Sequence, residues 1–173
     1  NFNNLLVGSF ALSLAACNSI TSVTGTLPKE KKRVVVPLIK DHKVVGATGR
    51  TYNNSKLRWY NYFNFRKEQY LVGQHLTDKP ECILCEGSFD AIWLHSIVGH
   101  QYNVYSILGS SLSEQQRAYI AEHHTGVIMF FDNDLAGQIC TKKTALALAE
   151  LDLYSIMYTL IRNDPLEMEH EHV

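Results

Sequence analysis

Cysteine is scarce in this 173-residue sequence, and its four cysteines are scattered. Cys82 and Cys85 have the C-x-x-C spacing of zinc and redox sites, but no second Cys pair or Cys/His pair follows at zinc-finger spacing. The pair also lies in the apolar run ECILC, which is typical of a strand. We therefore expect buried free thiols and a reducing, cytosolic environment, and we exclude a disulfide framework.

A membrane-spanning apolar run is also missing. The apolar segment from Leu5 to Ala16 is interrupted by Gly8 and Ser9 and is too short to cross a bilayer. It ends in LAAC, which looks like a bacterial lipoprotein cleavage site, but no Lys or Arg precedes Lys29 to form the positive region of a signal peptide. We expect no membrane association. Because the chain does not begin with Met, we interpret it as a fragment of a longer protein.

The whole chain lacks an excess of either charge, since its formal net charge is -1, but its charges are segregated. Residues 29–79 contain twelve Lys/Arg and four Asp/Glu, whereas the remainder contains four and thirteen. Such asymmetry can indicate a nucleic-acid surface beside an acidic site, although charge alone favours a solvated basic face. The hydrophobic fraction of 46% fits one globular domain or two small ones.

The apolar pattern predicts two regions. In the first, RVVVPLI and VVGATGRTY predict a hairpin, and Pro37 places the first strand at a sheet edge. We expect residues 1–78 to form a small, basic α+β subdomain. Residues 79–163 contain four strand-like segments alternating with three helical ones, and residues 164–173 form an acidic tail. This alternation predicts an α/β fold with a central parallel four-stranded sheet flanked by helices.

Two of the predicted helices have specific sequence features. In SFDAIWLHSIVG, the residues Phe89, Ile92, Trp93 and Ile97 can share one buried face. The segment SLSEQQRAYIAEHH opens with Ser113 as a candidate N-cap.

Acidic residues follow two of the predicted strands. Glu86 follows the first strand, Asp132 and Asp134 follow the third, and Asp90 lies four residues beyond Glu86. The carboxyl ends of parallel strands share one sheet edge, so these carboxylates should converge there and raise one another's pKa. A hard cation such as Mg²⁺ or Mn²⁺ would relieve that repulsion. Taken singly, either aspartate has a simpler interpretation as a helix N-cap.

The same segments resemble a known family. CEGSFDAIWL resembles the "VEGYFDVIAL" signature of Toprim domains in bacterial replicative primases. ILGSSLSEQQ resembles the family's "LGTALTEEQ" segment, and FFDNDLAGQ resembles its "FDGDxAGQ" segment. The resemblance implies a Toprim (Rossmann-like) domain in which Glu86, Asp132 and Asp134 are catalytic ligands of Mg²⁺ or Mn²⁺, supported by Asp90.

The resemblance extends upstream and covers about residues 33–167. RVVVPLIKDHKVVGATGRT looks like "RVMFPIRDxxGRVIGFGGR", SKLRWYN like "KPKYLNS", and FRKEQYLVG like "FxKxxxLYG". It implies five candidate contacts to template or nucleotide: Arg33, Arg50, Lys56, Arg58 and Lys67. Aromatic residues are interleaved with these cations, as in single-strand binding proteins, but we expect the rings to form the core of the small subdomain.

The sequence departs from the family in three places. Asn133 replaces the middle glycine of Asp-Gly-Asp. In the final acidic motif, Asp164 matches a metal ligand, whereas Leu166 replaces the second aspartate. The family's N-terminal zinc module and C-terminal helicase-binding module have no counterpart, which suggests a fragment or a pared-down phage or mobile-element relative.

The function implied is that of a primase catalytic core, a cytoplasmic nucleotidyltransferase of DNA replication. It would join ribonucleoside triphosphates into short RNA primers on single-stranded DNA, and a replicative helicase would be a partner through modules absent here. Two alternatives remain open at this point: another Toprim enzyme, such as a nuclease, or a catalytically idle nucleic-acid-binding domain.

Overall fold

The computed structural model describes residues 33–51, 56–62, 65–151 and 153–157. Strands β1 to β7 span Arg33–Lys40, Lys43–Thr51, Trp59–Tyr62, Glu81–Cys85, Asn103–Ser106, Gly126–Met129 and Tyr154–Met157. Helices α1 to α3 span Ser88–Val98, Glu114–His123 and Leu135–Ala149. Two short 3-10 turns span Lys67–Gln69 and Gln74–Leu76. The chain divides into two compact units between Phe65 and Arg66.

The first unit contains an antiparallel sheet in the order β1-β2-β3. The predicted hairpin is confirmed, and Pro37 lies in β1, which is an edge strand. The turn that joins the two strands contains Asp41 and His42, both with positive φ, as a two-residue type I′ turn requires. The expectation that the aromatic residues form this unit's core is wrong for Trp59 and Tyr60, which are exposed, because the four-residue β3 is a sheet edge.

The second unit contains a parallel sheet in the order β5-β4-β6-β7, flanked by helices as the sequence predicts. Successive residues of β4 point to opposite faces. Cys82 and Leu84 belong to a core with α2 and α3, whereas Ile83 and Cys85 belong to one with α1. Strands covered on both faces read as continuous apolar runs, which is why these segments show no alternation.

Helices α2 and α3 begin at polar N-cap residues, whereas α1 begins after Gly87 without a side-chain cap. Ser113 is the N-cap of α2 and forms a reciprocal capping box with Gln116, as the sequence predicts for the serine. The predicted buried face of α1 is correct for Trp93 but wrong for Ile97, which is 49% exposed, and the buried residues also include Ala91 and Leu94. Apolar residues occur on several sides of this helix, so its sequence alone does not select one face.

Residues 66–80 are hydrogen-bonded to the rest of the second unit. Val72 pairs with Ser106 through two backbone hydrogen bonds. Near the amino ends of the strands, a chain of side-chain contacts joins Thr77 to Tyr105 and Tyr105 to buried His124. Burial lowers the pKa of His124, which fits a neutral ring in this network. These contacts explain why the two units divide after Phe65; the domain ranges 1–78, 79–163 and 164–173 remain a prediction.

The described cysteines are buried free thiols, as expected. Burial raises the pKa of Cys82 and Cys85, and raises that of Cys140 to about 11. Cys17 lies outside the described residues. Among the helices that the structure describes, none combines the length and apolar character needed to cross a membrane.

Candidate functional site

The carboxyl ends of β4 and β6 bring the predicted acidic residues to one edge of the sheet. The two strands are adjacent and parallel, with Leu84 opposite Met129. Pairing continues one residue further through a hydrogen bond from the Phe130 N–H to the Leu84 carbonyl, and both chains then leave the sheet. Glu86 follows one strand, and Asp132 follows the other. The parallel topology therefore places these side chains together, as the sequence predicts.

Glu86 is in an unfavourable environment for a charged carboxylate. Its Oε1 atom is buried and has no hydrogen-bond partner. Burial raises the pKa of Glu86 to about 7, and the negative charges of Asp132, Asp134 and Asp90 act in the same direction. A hydrogen bond with the Asp132 backbone opposes them. The four carboxylates therefore interact electrostatically, and a cation among them would favour their ionised forms.

The residues present fit a divalent metal ion held in an open site. The buried, unpartnered Oε1 of Glu86 is a hard oxygen donor, which Mg²⁺ and Mn²⁺ prefer. In the part of the chain that the structure describes, no group of three or more His, Cys, Asp or Glu side chains is placed so that it could hold a metal ion by itself. Mg²⁺ usually keeps several waters and takes one or two carboxylates together with substrate phosphates, so an incomplete protein ligand set suits it.

Two glycines allow the close packing at this edge. A Cβ atom at Gly87 would overlap Oδ2 of Asp90, so any other residue there would require the Asp90 carboxylate to shift. A Cβ atom at Gly137 would overlap the backbone carbonyl of Asp132, so only glycine lets α3 begin directly against that residue. Both glycines therefore position carboxylates.

Asp134 is the N-cap of α3. Its Oδ1 accepts a hydrogen bond of 2.7 Å from the Gly137 N–H. The simpler interpretation from the sequence, a helix cap, is thus correct for this residue. Capping uses one oxygen of the carboxylate, and a carboxylate can accept at both of its oxygens, so a metal-binding role is compatible with the cap.

One predicted cation lies in the same unit as the acidic residues. Lys67 begins a 3-10 turn, is exposed, and donates from Nζ to the Leu108 carbonyl over 3.3 Å. Leu108 follows the end of β5, which is the strand beside β4. Lys67 is therefore held on a loop at the carboxyl side of the parallel sheet.

The other predicted cations lie in the first unit. The Arg33 guanidinium donates to the backbone carbonyls of Gly49, Leu57 and Arg58, and lies 5.8 Å from the centroid of the Tyr60 ring. Arg33 thus cross-links its own unit, which is a structural role that the sequence did not indicate.

The remaining predicted site residues are Arg50, Lys56, Arg58 and Asp164. Arg50 lies over the exposed Trp59 ring, 5.6 Å from its centroid, which is a cation–π arrangement. Lys56 and Arg58 are exposed. Asp164, the fifth predicted metal ligand, lies outside the described residues.

Two buried polar residues near the site were not predicted as functional. Gln116, which is 2% exposed, donates from Nε2 to the backbone carbonyls of Tyr70 and Ile107. Ser106, which is fully buried, donates from its hydroxyl to the Glu86 carbonyl. The S-x-x-Q spacing of the capping box indicated Gln116 only as a helix residue, and no sequence pattern indicated Ser106.

Comparison with known proteins agrees with this geometry. Residues 83–167 match a family model described as Toprim-like. A DNA primase of Campylobacter jejuni is 35% identical over 134 residues, which cover 68% of this chain and 21% of that protein. The chain thus spans about a fifth of the length of this curated relative.

Solved structures show the same fold. The zinc-binding and RNA polymerase domains of the Aquifex aeolicus primase superpose with a TM-score of 0.70 and 22% identity, covering 91% of this chain and 46% of that one. A DnaG primase catalytic domain bound to single-stranded DNA superposes with a TM-score of 0.68 and 21% identity, covering 81% and 49%. These similarities support the α/β architecture.

Proposed function

Because the chain contains a Toprim-like domain and is homologous to part of the bacterial DNA primases, we propose that it is the catalytic core of a primase. It joins ribonucleoside triphosphates into a short RNA primer on a single-stranded DNA template and releases pyrophosphate. The observation that supports this most is the buried, unpartnered oxygen of Glu86 at the sheet edge shared with Asp132.

Each acidic residue has a defined part in the proposed reaction. Glu86, Asp132 and Asp134 would hold a divalent ion, with Asp90 and Asp164 in supporting roles. When bound, such an ion polarises the reacting phosphate and orients the attacking hydroxyl for in-line displacement. No side-chain nucleophile is required, because the attacking group is the 3′-hydroxyl of the growing primer. The protein contributes positioning and charge, which supply most of the catalysis in phosphoryl transfer.

The cations guide the anionic reactants. Lys67, on the carboxyl side of the parallel sheet, contacts the triphosphate. Arg50 and the exposed Trp59 ring beside it suit a single strand, in which phosphates pair with cations and bases stack on aromatic rings. Lys56 and Arg58 add positive charge along the same unit, and Arg33 contributes through its fixed guanidinium.

Primer synthesis is favoured over the two alternatives by the extent of the similarity. A Toprim nuclease would share the acidic residues, but the match to the C. jejuni primase covers 68% of the chain, more than the 83–167 range of the Toprim-like model. An idle binding domain would not need to keep Glu86 in an environment that raises its pKa to about 7.

The remaining parts of the proposal are its partners and setting. The solved DnaG domain that superposes on this chain is bound to single-stranded DNA, and we propose the same template here. A replicative helicase would contact segments of the longer relatives that this chain does not span. We further propose a cytoplasmic location and a bacterial, phage or mobile-element origin.

One gel tests the proposal. The protein is incubated with single-stranded DNA, labelled ribonucleotides and Mg²⁺ or Mn²⁺, with an end-labelled DNA strand in a parallel lane. Short labelled RNA is expected from the unaltered protein and from Glu122→Gln, an exposed carboxylate on α2, but not from Glu86→Gln. Shortening of the DNA strand without new RNA would instead establish a nuclease.

A further inference from the structure

A buried serine links the metal-binding edge to the loop that carries Lys67. The Ser106 hydroxyl donates to the Glu86 carbonyl over 2.7 Å and accepts from the Leu108 N–H over 3.2 Å. Ser106 is fully buried, so these two contacts take the place of hydrogen bonds to water. Because the Leu108 carbonyl accepts from Lys67 Nζ, three hydrogen bonds run in series from Glu86 to the Lys67 ammonium.

The loop is held in an unusual conformation at this point. Leu108 has a φ of 56°, in the left-handed region that residues with a side chain rarely adopt. Its N–H is fixed by Ser106, and its carbonyl accepts from Lys67. Backbone strain of this kind persists where surrounding contacts enforce it, and it occurs often at functional sites.

The other side of Lys67 is fixed by Gln116. The Gln116 carboxamide accepts from the Ser113 N–H, which sets its orientation. Its Nε2 then lies within hydrogen-bond distance of the Tyr70, Ile107 and Lys67 carbonyls. The backbone on both sides of the 3-10 turn is therefore attached to the end of β5, while the Lys67 side chain is exposed.

Space for an anion exists beside the ammonium. Among the described residues other than its own chain neighbours, a Cβ atom at Gly109 would have only Lys67 Nζ within 4 Å, at 3.4 Å. An ammonium has three donors, and the contact with Leu108 uses one of them. The remaining donors suit an oxygen-rich anion bound next to the carboxylate edge.

We propose that Ser106 is a positioning residue that fixes the Lys67 ammonium relative to Glu86, so that one triphosphate contacts both the cation and the metal-binding edge. This inference rests on the proposed function, because it takes a nucleoside triphosphate as the ligand. Gln116 supports the same placement from the backbone side.

The test is a double-mutant cycle on ligand affinity. ATP is titrated calorimetrically into the full chain with Ca²⁺ and no template, so that no turnover is needed. Lys67→Ala is expected to weaken binding about tenfold, and Ser106→Ala about threefold. In the Lys67→Ala background, the Ser106→Ala change should have no further effect, because the group that Ser106 positions is gone. Ser96→Ala, an exposed hydroxyl on α1, is the matched control.

A second variant keeps the test valid if Ser106→Ala does not fold. Gly109→Ala leaves the hydrogen bonds of Ser106 and Gln116 in place and puts a methyl group in contact with Lys67 Nζ, at 3.4 Å, where it would occupy space beside the ammonium. It should weaken ATP binding about twofold, again only while Lys67 is present. Affinity for Mn²⁺ alone should stay within twofold of the unaltered chain in Ser106→Ala and Gly109→Ala.

The outcomes separate this inference from the proposed function. Three results would overturn the positioning role. The first is that Ser106→Ala lowers ATP affinity equally with and without Lys67. The others are that Ser106→Ala lowers Mn²⁺ affinity, or that the unaltered chain does not bind ATP. If the predicted coupling is found but no RNA is made, the proposed function fails and the positioning role stands. If RNA is made but the Ser106→Ala and Lys67→Ala losses of ATP affinity are additive, the proposed function stands and the positioning role fails.

Discussion

Glu86 is held where one oxygen of its carboxylate contacts neither solvent nor a hydrogen-bond donor. The Glu86 backbone belongs to the turn between β4 and α1, and its carbonyl accepts a hydrogen bond from Ser106, so the surrounding structure keeps the carboxylate in this unfavourable environment. Three nearby carboxylates raise its pKa further. At the scale of single residues, the site is therefore a local instability that binding of a cation would relieve.

This instability predicts a pH-dependent effect of Glu86→Gln. The folded pKa of about 7 lies above the ordinary glutamate value of 4.5, so the native state binds more protons than the unfolded chain between these values and loses stability as pH rises. Without divalent metal, Glu86→Gln should therefore stabilise the protein at pH 8, by about 1 kcal/mol after allowance for solvent screening, and have little effect near pH 4.5. Thermal unfolding in EDTA at both pH values measures this.

A control variant and added Mg²⁺ test whether charge on Glu86 causes the effect. Glu122→Gln, on an exposed face of α2, should leave the melting temperature nearly unchanged at both pH values. Saturating Mg²⁺ should reduce or reverse the advantage of Glu86→Gln, because only the unaltered carboxylate gains from the cation. A stabilisation equal at pH 4.5 and pH 8 would show that charge on Glu86 is not its cause.

The role of a residue could be predicted from the sequence only where its type and position form a recognisable pattern. Glu86 and Asp132 were predictable, because acidic residues after apolar strands are conspicuous. Ser106 was not, since a serine at the end of a strand has no distinctive pattern and Glu86, whose carbonyl accepts from it, lies 20 positions away. The internal role of Arg33 was hidden for a similar reason: carbonyls that accept from its guanidinium belong to residues 24 and 25 positions away.

At the scale of elements, the β1–β2 turn is a local weak point of the first unit. Asp41 and His42 have φ values of 50° and 59°, a conformation that costs an L-residue energy but costs glycine little. The strand residues that flank the turn, Lys40 and Lys43, are opposite each other and repel. The pairing shifts by one residue between Leu38 and Ile39, and on the far side of this irregularity the register is fixed by burial of Val36 and Leu38 on one strand and Ala47 on the other.

The turn geometry predicts that His42→Gly stabilises the hairpin. Asp-Gly is a preferred pair for a two-residue type I′ turn, and the gain should be about 0.5 kcal/mol after the added freedom of the unfolded glycine. Amide hydrogen exchange in β1 and β2 should therefore be slower in His42→Gly than in the unaltered protein. His42→Val, which puts a β-branched residue at positive φ, should accelerate exchange. Faster exchange in His42→Gly would mean that the His42 side chain itself stabilises the turn.

Element type was predictable from the sequence, whereas helix orientation was not. The alternation of apolar strands and helical segments leads directly to a parallel sheet, and the structure confirms it. The buried face of α1 was mispredicted at Ile97, which belongs to the apolar spacing yet lies at the exposed end of the helix. Burial there is decided by the sheet residues Ile83 and Val104, which the local sequence cannot reveal.

At the scale of the whole molecule, charge is divided between two parts of the chain. The basic excess lies in residues 29–79, and the acidic carboxylates follow β4 and β6. An anionic template and anionic triphosphates would be attracted by the first and would need a cation to approach the second. The division therefore agrees with a metal-dependent enzyme acting on nucleic acid. The affinity of the protein for single-stranded DNA should then fall strongly as salt concentration rises.

The proposed function depends most directly on whether the carboxylate edge binds a divalent ion. Mn²⁺ is titrated into the full chain and free Mn²⁺ is followed by electron paramagnetic resonance, for the unaltered protein, Glu86→Gln, Asp132→Asn and the control Glu122→Gln. Saturable binding is expected in the unaltered protein and the control, with affinity lowered at least about tenfold in Glu86→Gln and Asp132→Asn. Equal affinity in all four proteins would contradict a metal site at Glu86 and Asp132, and with it the proposed mechanism.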